Sequence, residues 1–446
     1  MGAVEFSKRV TKLAVLAFCT QAVGVHAAAL PFQAKDRHEG VASCAGSNCH
    51  GASHPLEDSA VMQNEYFSWE RKDAHSNAYK LLLSPAGKRI AANLGLKSAQ
   101  DAAECLTCHT DYVPEAARGR RYQLSEGVTC EACHGGAQNW IGPHITGAKH
   151  SENLANGLYP LEDPTARARV CMHCHFGSGD KPIDHRMMGA GHPPLSAEFE
   201  LDSNTINQPA HFKVDKDYRE RKGYESDVKV WAVGQLVAAQ FLLDGLASER
   251  FAGHGMFPEF VFFDCSACHH PMQPPRWSAG VGGALGPGEV RLADNNLLVT
   301  GYILEVLQPS AAKSWKEGLA DLRRACGQSV TKVKDSLAPL RKLLADALPA
   351  VAQHRITRQE AAAIVDGLSA AAIERDAASY SAAKQLYYAL DAFRAYLGQE
   401  GVKSAALDKS MDQMFSAVDA TIKYDPNAMR GALRNVRAAL AGLSAN

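Results

Sequence analysis

The stretch EGVTCEACHGGAQNWIGPH (126–144) contains the motif Cys-x-x-Cys-His, in which two residues separate two cysteines and a histidine follows directly. The same spacing occurs in CLTCH (105–109), CMHCH (171–175) and CSACH (265–269). This pattern is typical of c-type haem attachment, where two thiols bond the porphyrin and the histidine binds iron. Zinc sites and redox dithiols also use paired cysteines but do not need the adjacent histidine. Four copies in one chain therefore favour haem.

A fifth site is predicted at CAGSNCH (44–50), although four residues separate Cys44 from Cys49 there. A longer spacer containing the flexible Gly46 can bulge and still bring both thiols to a porphyrin edge. The alternative is a disulfide between the two cysteines, beside an unrelated His50. We expect five covalently bound haem c groups. Their attachment residues are Cys44, Cys49, Cys105, Cys108, Cys130, Cys133, Cys171, Cys174, Cys265 and Cys268.

The motif histidines are the expected proximal iron ligands: His50, His109, His134, His175 and His269. The opposite position of each iron decides function, because a second histidine gives an electron carrier and a vacant position can bind a small molecule. The predicted distal ligands are His75, His144, His150, His185 and His192. Ranked below them are His54, His38, His211 and His254, and the alternative ligands Met187, Met188 and Met272.

Residues 1–27 have the features of a secretory signal. Lys8, Arg9 and Lys12 precede the apolar run LAVLAFCTQAVGV (13–25), and small residues lead to a cleavage site after Ala27 or Ala29. A lipid anchor on Cys19 is the alternative, which the bulky Phe18 disfavours. No run of about 18 apolar residues suggests a membrane span elsewhere. We expect an exported chain in the periplasm, and the outer cell surface is the alternative location.

Charge identifies no class of partner, because 47 basic residues nearly balance 48 acidic ones. No strongly basic run indicates nucleic-acid binding. The expected partners are other redox proteins, namely a quinol dehydrogenase, a reductase or another cytochrome. Arg118, Arg120 and Arg121 could pair with haem propionates, dock an acidic partner or simply be surface charge.

The predicted fold class is mainly α. Five motifs between residues 44 and 269 leave little chain per haem, so we expect porphyrins to form much of the core among short helices and loops. One longer helix is predicted at 226–248, where Val230, Val233, Val237 and Phe241 recur at helical spacing. The predicted parts are the signal (1–27), a pentahaem domain (28–275), a Gly/Pro-rich linker (276–293) and a helical bundle (294–446).

The C-terminal part has a different pattern. Apolar residues recur every three or four positions, as in the run from Val330 to Leu348, which predicts amphipathic helices. Pro339 is expected to break or kink that helix, and Thr357 with Glu360 predicts a capping box. We interpret the apolar stripes as core in preference to a partner surface, and Cys326 as a buried thiol.

Three segments together resemble the cytochrome c-554 family of multihaem cytochromes, which is related to hydroxylamine oxidoreductase. They are DAHSNAY (73–79), EGVTCEACHGGAQNWIGPH (126–144) and CMHCHFGSGDKPIDHRMMGAGHPP (171–194). The resemblance covers about residues 40–195 and extends weakly to FPEFVFFDCSACHH (257–270). It implies closely stacked haem pairs. The long first spacer, the fifth motif and the helical tail depart from the family pattern.

The resemblance also implies how the distal ligands are exchanged along the chain. By that pattern His75 would serve the third site, at His134, and His144 the first, at His50. His150 would serve the fourth site, and His185 and His192 would be available to the second and fifth. Because one haem can be five-coordinate in the family, the iron at His109 is expected to be the open one.

Two function classes follow from these ligands. An electron carrier needs only a chain of saturated haems, and we favour this reading. An oxidoreductase acting on a small nitrogen or sulfur compound would need an open iron with proton donors, such as Tyr112 or Tyr122, beside it. The chain has no Cys-x-x-Cys-Lys motif of the kind found in pentahaem nitrite reductases. A haem-bearing filament subunit is a third possibility.

Overall fold

The computed structural model describes residues 29–57, 59, 61–179, 181, 183–195, 199–224, 226–252, 258–265, 268–269, 291–373, 380–419 and 424–444. The predicted signal and most of the predicted linker, residues 276–290, lie outside these ranges. The candidate ligands His254 and Met272 lie outside them as well, as does Cys19.

Every regular element among the described residues is helical, which confirms the predicted mainly α fold class. The N-terminal helices are short: α1 (Glu65–Lys72), α2 (Ala78–Leu83), α3 (Pro85–Asn93), α4 (Ala103–His109), α5 (Cys130–His134), α6 (Ile141–Ile145), α7 (His150–Ala155), α8 (Pro164–His175), α9 (His185–Gly189), α10 (Leu201–Asn207) and α11 (Lys216–Lys222). The 3₁₀ helices are Pro31–Gln33, Val41–Ser43, Ala74–Asn77, Ala99–Asp101, Glu115–Ala117, Leu124–Glu126 and Phe260–Phe262. Isolated bridges join His38 to Arg118 and Phe263 to Leu292.

Side chains alone form little core in this N-terminal part. One small cluster joins Leu30, Tyr159, Ala166 and Val170. A second joins Leu82, Ala91, Ala99 and Leu106. Clusters of this size cannot by themselves order so many loops, since apolar burial is the main favourable term in folding. The arrangement fits the expectation that porphyrins supply much of the apolar surface.

Longer helices follow: α12 (Asp227–Ala247), α13 (Glu249–Ala252), α14 (Asn295–Leu307), α15 (Pro309–Cys326), α16 (Val330–Gln353), α17 (Arg358–Ala371), α18 (Tyr380–Gln399), α19 (Ala405–Val418) and α20 (Pro426–Ser444). Helix α12 begins after Ser226, whose side chain accepts a hydrogen bond from the Lys229 backbone N–H. Its ends lie one residue inside the predicted helix, 226–248.

Helix α12 is the centre of the largest core. Most of its 21 residues are buried, and it packs against α8, α14, α16 and α18. Among the described residues it is also the helix that is long and apolar enough to cross a membrane, but 78% of that apolar window is buried inside the protein. A core helix surrounded on all sides has this same composition.

The core around α12 continues into the C-terminal helices. It runs from Ala168 and Met172 on α8, through α12, to Leu433 and Val436 on α20. Leu292, near the end of the predicted linker, is also buried in it. Helix α12, which the sequence placed with the haem motifs, therefore shares one apolar core with the helices after residue 294.

The expected break at Pro339 is absent, because α16 runs through both Pro339 and Pro349. A proline inside a helix costs about 3 kcal/mol through its missing N–H and its clash with the preceding turn. Val333, Leu337, Leu340 and Leu344 are buried on the same helix. Burying each such side chain contributes about 1.5–3 kcal/mol, which is sufficient to offset the proline.

The capping box predicted from Thr357 and Glu360 is confirmed. The Glu360 N–H donates to Thr357 Oγ1 at 3.2 Å, and the Thr357 N–H donates to a Glu360 carboxylate oxygen at 2.8 Å. Helix α17 begins at the next residue, Arg358. Two otherwise unpaired backbone donors are thereby satisfied.

Two phenylalanines test whether the C-terminal helices depend on this core. Phe393 on α18 is 3% exposed and Phe415 on α19 is 48% exposed. We expect Phe393→Ala to lower the free energy of unfolding by about 3–5 kcal/mol, because it leaves a cavity. Phe415→Ala is the matched control and should cost less than about 1 kcal/mol. Denaturant unfolding followed by circular dichroism measures both, and equal losses would contradict the core assignment.

Candidate haem centres

Three of the regular motifs end a helix at the proximal histidine. His109 ends α4, His134 ends α5 and His175 ends α8. A helical turn places the two cysteines three residues apart on one face, with the histidine one residue further on. The fifth motif has a single comparable turn, in which the His269 N–H donates to the Cys265 carbonyl at 2.7 Å. Cys265 and Cys268 are both exposed.

The first motif closes in the same way despite its longer spacer. The His50 N–H donates to the Cys44 carbonyl at 3.1 Å, which is the counterpart of the bond from His269 to Cys265. The Cys49 N–H donates to the Gly46 carbonyl at 2.8 Å, so the additional residues form a tight turn inside the loop. Cys44 and Cys49 are free, as are all the other described cysteines.

Four of the proximal histidines lie beside a second histidine ring, and the distance between the two rings is nearly the same in all four pairs. The ring centroids are 6.1 Å apart in His50–His144 and 6.2 Å in His75–His175. They are 6.3 Å apart in both His109–His192 and His185–His269. Two imidazoles bound to opposite sides of one metal ion, each with a metal–nitrogen bond of about 2 Å, have centroids about 6 Å apart. Each pair therefore leaves room for one iron between its rings.

In several paired histidines one ring nitrogen already has a hydrogen-bond partner. In four of them Nδ1 lies within 2.8–3.0 Å of an oxygen that can only accept: His50 with Glu65, His75 with Asp73, His109 with the Ala78 carbonyl, and His192 with the Pro193 carbonyl. Nδ1 must therefore carry the proton, which leaves Nε2 as the metal-binding atom. Partners of this kind orient a ligand ring and raise its basicity.

The protonation state of two proximal rings also suits iron binding, whereas the bond to Glu65 raises the pKa of His50 and, against burial, Asp73 raises that of His75. Burial, with the charge of His75 second, lowers the pKa of His175 to about 4. Burial likewise lowers the pKa of His109. Neutral imidazole is the form that binds metal ions, so these rings need not lose a proton near neutral pH.

The pairs correct the ligand exchange that the resemblance implied. His144 lies beside His50 as implied, and His192 and His185 lie beside the second and fifth proximal ligands. His75 lies beside His175 instead of His134, because Asp73 holds its ring towards the end of α8. His109, expected at the open iron, has His192 as its partner.

His150 is not beside His175, where the resemblance placed it. Its Nε2 is within hydrogen-bonding distance of Glu162 Oε1, at 2.5 Å, and Lys222 Nζ donates to its Nδ1 at 2.8 Å. Both ring nitrogens of His150 are therefore occupied by charged neighbours.

His134 is the proximal histidine without a ring partner at the pair spacing among the described residues. The residue has an exposed surface, but surrounding protein lowers its pKa to about 4, mainly by burial. Of the charges that act on its pKa, that of His211 has the largest effect, followed by those of His50, Lys222 and Glu162. His211 Nδ1 is bonded to the Pro209 carbonyl, as in the paired histidines, and its Nε2 lies 4.0 Å from Asp73. Sequence reasoning ranked His211 low because no short motif surrounds it.

The cysteines of different motifs lie against one another. The Cys44 thiol is hydrogen-bonded to that of Cys130, and the Cys108 thiol to that of Cys174. Lys181 Nζ donates to Cys174 Sγ at 3.3 Å. The bond from Cys108 and the charge of Lys181 lower the pKa of the Cys174 thiol to about 6. The first site therefore adjoins the third, and the second adjoins the fourth.

A cavity of about 450 Å³ opens beside the second and fourth motifs, lined by Phe32, Gln33, Thr107, Tyr112 and Lys181. Its volume is in the range of small-molecule and cofactor pockets. Thr107 lies between the cysteines of the second motif, and Lys181 contacts Cys174 of the fourth. The paired rings, adjacent thiols and cavity together fit covalently attached haem.

Other predicted residues have structural contacts. The Tyr122 hydroxyl donates to the Asp111 carbonyl, and Arg118 lies over the Tyr122 ring at 5.4 Å. Arg118 also donates to the Val113 carbonyl at 3.0 Å. These two side chains therefore hold the loop between the second and third motifs together. Met187 is buried.

Comparison with known families agrees with this geometry. Residues 35–135 match the family model described as "Cytochrome c554 and c-prime". The matched region contains the first three attachment motifs, and it supports a c-type cytochrome with covalently bound haem c. Comparisons with curated proteins and with solved structures give no significant match.

The ring pairs predict the effect of removing one distal ligand. We expect His192→Ala to convert one low-spin haem to high spin, because the iron position beside His109 loses its second imidazole. Electron paramagnetic resonance of the oxidised protein measures this change. His354→Ala, on a histidine that contacts Glu360 at the end of α16, is the control and should leave the spectrum unchanged. An unchanged spectrum for His192→Ala would contradict the pairing.

Proposed function

We propose that this chain is an exported pentahaem c-type cytochrome that carries electrons between respiratory redox partners. Bound haem would supply an iron that changes between its ferric and ferrous states. The observation that carries the proposal is the set of four histidine pairs about 6 Å apart. Each pair would hold one haem iron between two imidazoles and would leave no position for a substrate, as an electron carrier requires.

The contacts between motifs support one order of attachment sites. The first adjoins the third through Cys44 and Cys130, and the third adjoins the fourth, because the charges of Cys171 and Cys174 act on Cys133. The fourth adjoins the second through Cys174 and Cys108.

The segment 185–192 extends this order to the fifth site. It contains the ring partners of both His109 and His269. Arg186 in this segment forms a 3.0 Å ion pair with Glu104 on α4, beside the second motif. We propose a continuous line of attachment sites in the order first, third, fourth, second and fifth. The first and fifth sites are then its two ends, where redox partners would exchange electrons.

His211 is proposed to complete the third site. Of the charges that act on the pKa of His134, that of His211 has the largest effect, and the bond from its Nδ1 to the Pro209 carbonyl leaves Nε2 available. A quinol dehydrogenase, a reductase or another cytochrome is the proposed class of partner. Export to the periplasm rests on the signal-like residues 1–27.

The second candidate function is an oxidoreductase acting on a small nitrogen or sulfur compound. One observation favours it: His134 has no ring partner at the pair spacing within the described residues. The hydrogen-bonded series Lys222, His150 and Glu162 lies close enough for two of its charges to act on His134. Such a series could deliver protons to a molecule bound at an open iron.

The haem count tests the number of sites. We expect five haems per chain from pyridine haemochrome absorbance and intact mass, and four in the double variant Cys44→Ser/Cys49→Ser. Cys326→Ser is the control, because Cys326 packs against the helical core and should not change the count. Four haems in the unaltered protein would show that the first motif is not an attachment site.

The spin state of the third site separates the two functions. We expect an entirely low-spin spectrum from the oxidised protein and one new high-spin haem in His211→Ala, since that change would remove the ligand opposite His134. A high-spin signal already present in the unaltered protein, and unchanged in His211→Ala, would instead favour the oxidoreductase. Nitric oxide, nitrite and hydroxylamine would then be tested for binding to that iron.

A further inference from the structure

A buried polar cluster lies beside the third attachment motif and has no part in holding iron. It consists of His38, Asp111 and Glu131, which are 0%, 2% and 2% exposed. One nitrogen or oxygen atom from each lies within 4.8 Å of the others. Ionisable groups this deeply buried are rare unless they are paired, and they are common at functional sites.

The hydrogen bonds of the cluster hold it rigidly. His38 Nδ1 lies 2.8 Å from Asp111 Oδ2, which also accepts from Thr129 Oγ1 at 2.8 Å. The Glu131 carboxylate accepts three backbone N–H groups at 2.7–2.8 Å, from Glu39, Gly40 and Ala137. Asp111 Oδ1 is buried without a partner. The cluster thus ties the segment before the first motif to the helix of the third.

The cluster lies between the first and third attachment sites. Glu131 is in the spacer between Cys130 and Cys133, the attachment cysteines of the third motif. Its charge acts on the thiols of both Cys44 and Cys130. The charge of Asp111 acts on Cys133. A change of charge in the cluster will therefore be felt at both sites, because charges interact strongly where water is excluded.

Within the cluster, His38 and Glu131 have pKa values that suit a change of charge by binding a proton. Burial opposes protonation of His38, but the bond to Asp111 and the charges of Asp111 and Glu131 raise its pKa above the usual value. Burial raises the pKa of Glu131, against three backbone hydrogen bonds and the charge of His38. The titratable groups on which these two carboxylates act are Tyr122 and Glu126, and the charge of Arg118 acts on Tyr122. On the segment of His38 itself, Arg37 and Glu39 form an ion pair at the surface.

We propose that His38 and Glu131 form a proton-binding site that takes up one proton when one electron is added at the adjoining first or third site. This proposal rests on the proposed function in requiring haem at those sites. The electron comes from the redox partner or chemical reductant and the proton from water, and oxidation releases both. The added negative charge raises the proton affinity of the cluster, so a bound proton stabilises the reduced state.

The hydrogen bonds favour a proton over a metal ion as the bound species. A cation would have to displace the proton between His38 and Asp111, and Glu131 already directs its oxygens to three backbone donors. Only Asp111 Oδ1 is left as a free ligand atom. One free oxygen falls well short of the six to eight ligands of calcium or the four of structural zinc.

Spectroelectrochemical titration of the complete haem-loaded protein between about pH 5 and about pH 9 tests the proposal. We expect the potential of one haem to fall as pH rises, by at most about 59 mV for each tenfold fall in proton activity. His38→Gln and Glu131→Gln each remove one protonatable group and keep its size, and they should flatten this dependence. His354→Gln is the matched control, since His354 also contacts a carboxylate but lies on the helical core.

A pH dependence that persists unchanged in both variants would overturn the proposal and assign the proton to the haem propionates. Potentials independent of pH in the unaltered protein would overturn it as well, and that measurement needs no variant to fold. Neither result would affect the proposed electron-carrier function, which the haem count and spin states test separately. Metal analysis of the unaltered protein must show iron alone, and another metal bound in equal amount would also overturn the proposal.

Discussion

The pairing of histidine rings at one common spacing is the constraint on which the N-terminal part of the molecule depends. Each pair joins residues far apart in sequence, such as His50 with His144 and His75 with His175. The segment between two such residues must bring the centroids of the two rings to about 6 Å from each other and must orient the rings, whatever its own secondary-structure preference. Short helices joined by loops satisfy this requirement better than long helices, because each loop can redirect the chain.

The same constraint explains the hydrogen bonds around the rings. An imidazole is useful as a ligand only if the correct nitrogen faces the metal, so the other nitrogen needs an acceptor. Glu65, Asp73 and the carbonyl of Ala78 provide acceptors from separate elements. Asp73 does more, since it also accepts from Gln208 and lies 4.0 Å from His211. One carboxylate thus orients His75, whose ring is paired with that of His175, and also lies near His211, the proposed ligand opposite His134.

Patterns confined to a few residues could be predicted from the sequence, and contacts between distant segments could not. The attachment motifs, helix α12 and the capping box at Thr357 each depend on neighbours in the chain. Assigning His75 to His134 was wrong because the choice of partner depends on tertiary packing, to which Asp73 contributes. Pro339 was expected to break or kink its helix, and the break is absent for a related reason, since buried leucines on both sides of the proline outweigh its local cost. No local pattern distinguishes His211, so the sequence ranks it low among the candidate ligands and only the tertiary structure favours it.

The helical core has a mechanical role towards the fourth and fifth sites. Helix α8, which ends in the fourth motif, packs along α12, and Phe199 stacks on the His175 ring at a centroid distance of 4.6 Å. His173, between the cysteines of that motif, packs edge-on against Phe241 of α12 at 5.1 Å. The chain before the fifth motif is held by the same core, through Phe251 and Phe262. A well-packed core resists deformation. The C-terminal helices, which carry no attachment motif, therefore help to hold the fourth and fifth motifs in place. The long helical tail is then understandable as a frame that supports the fourth and fifth motifs, at one part of the proposed line of attachment sites.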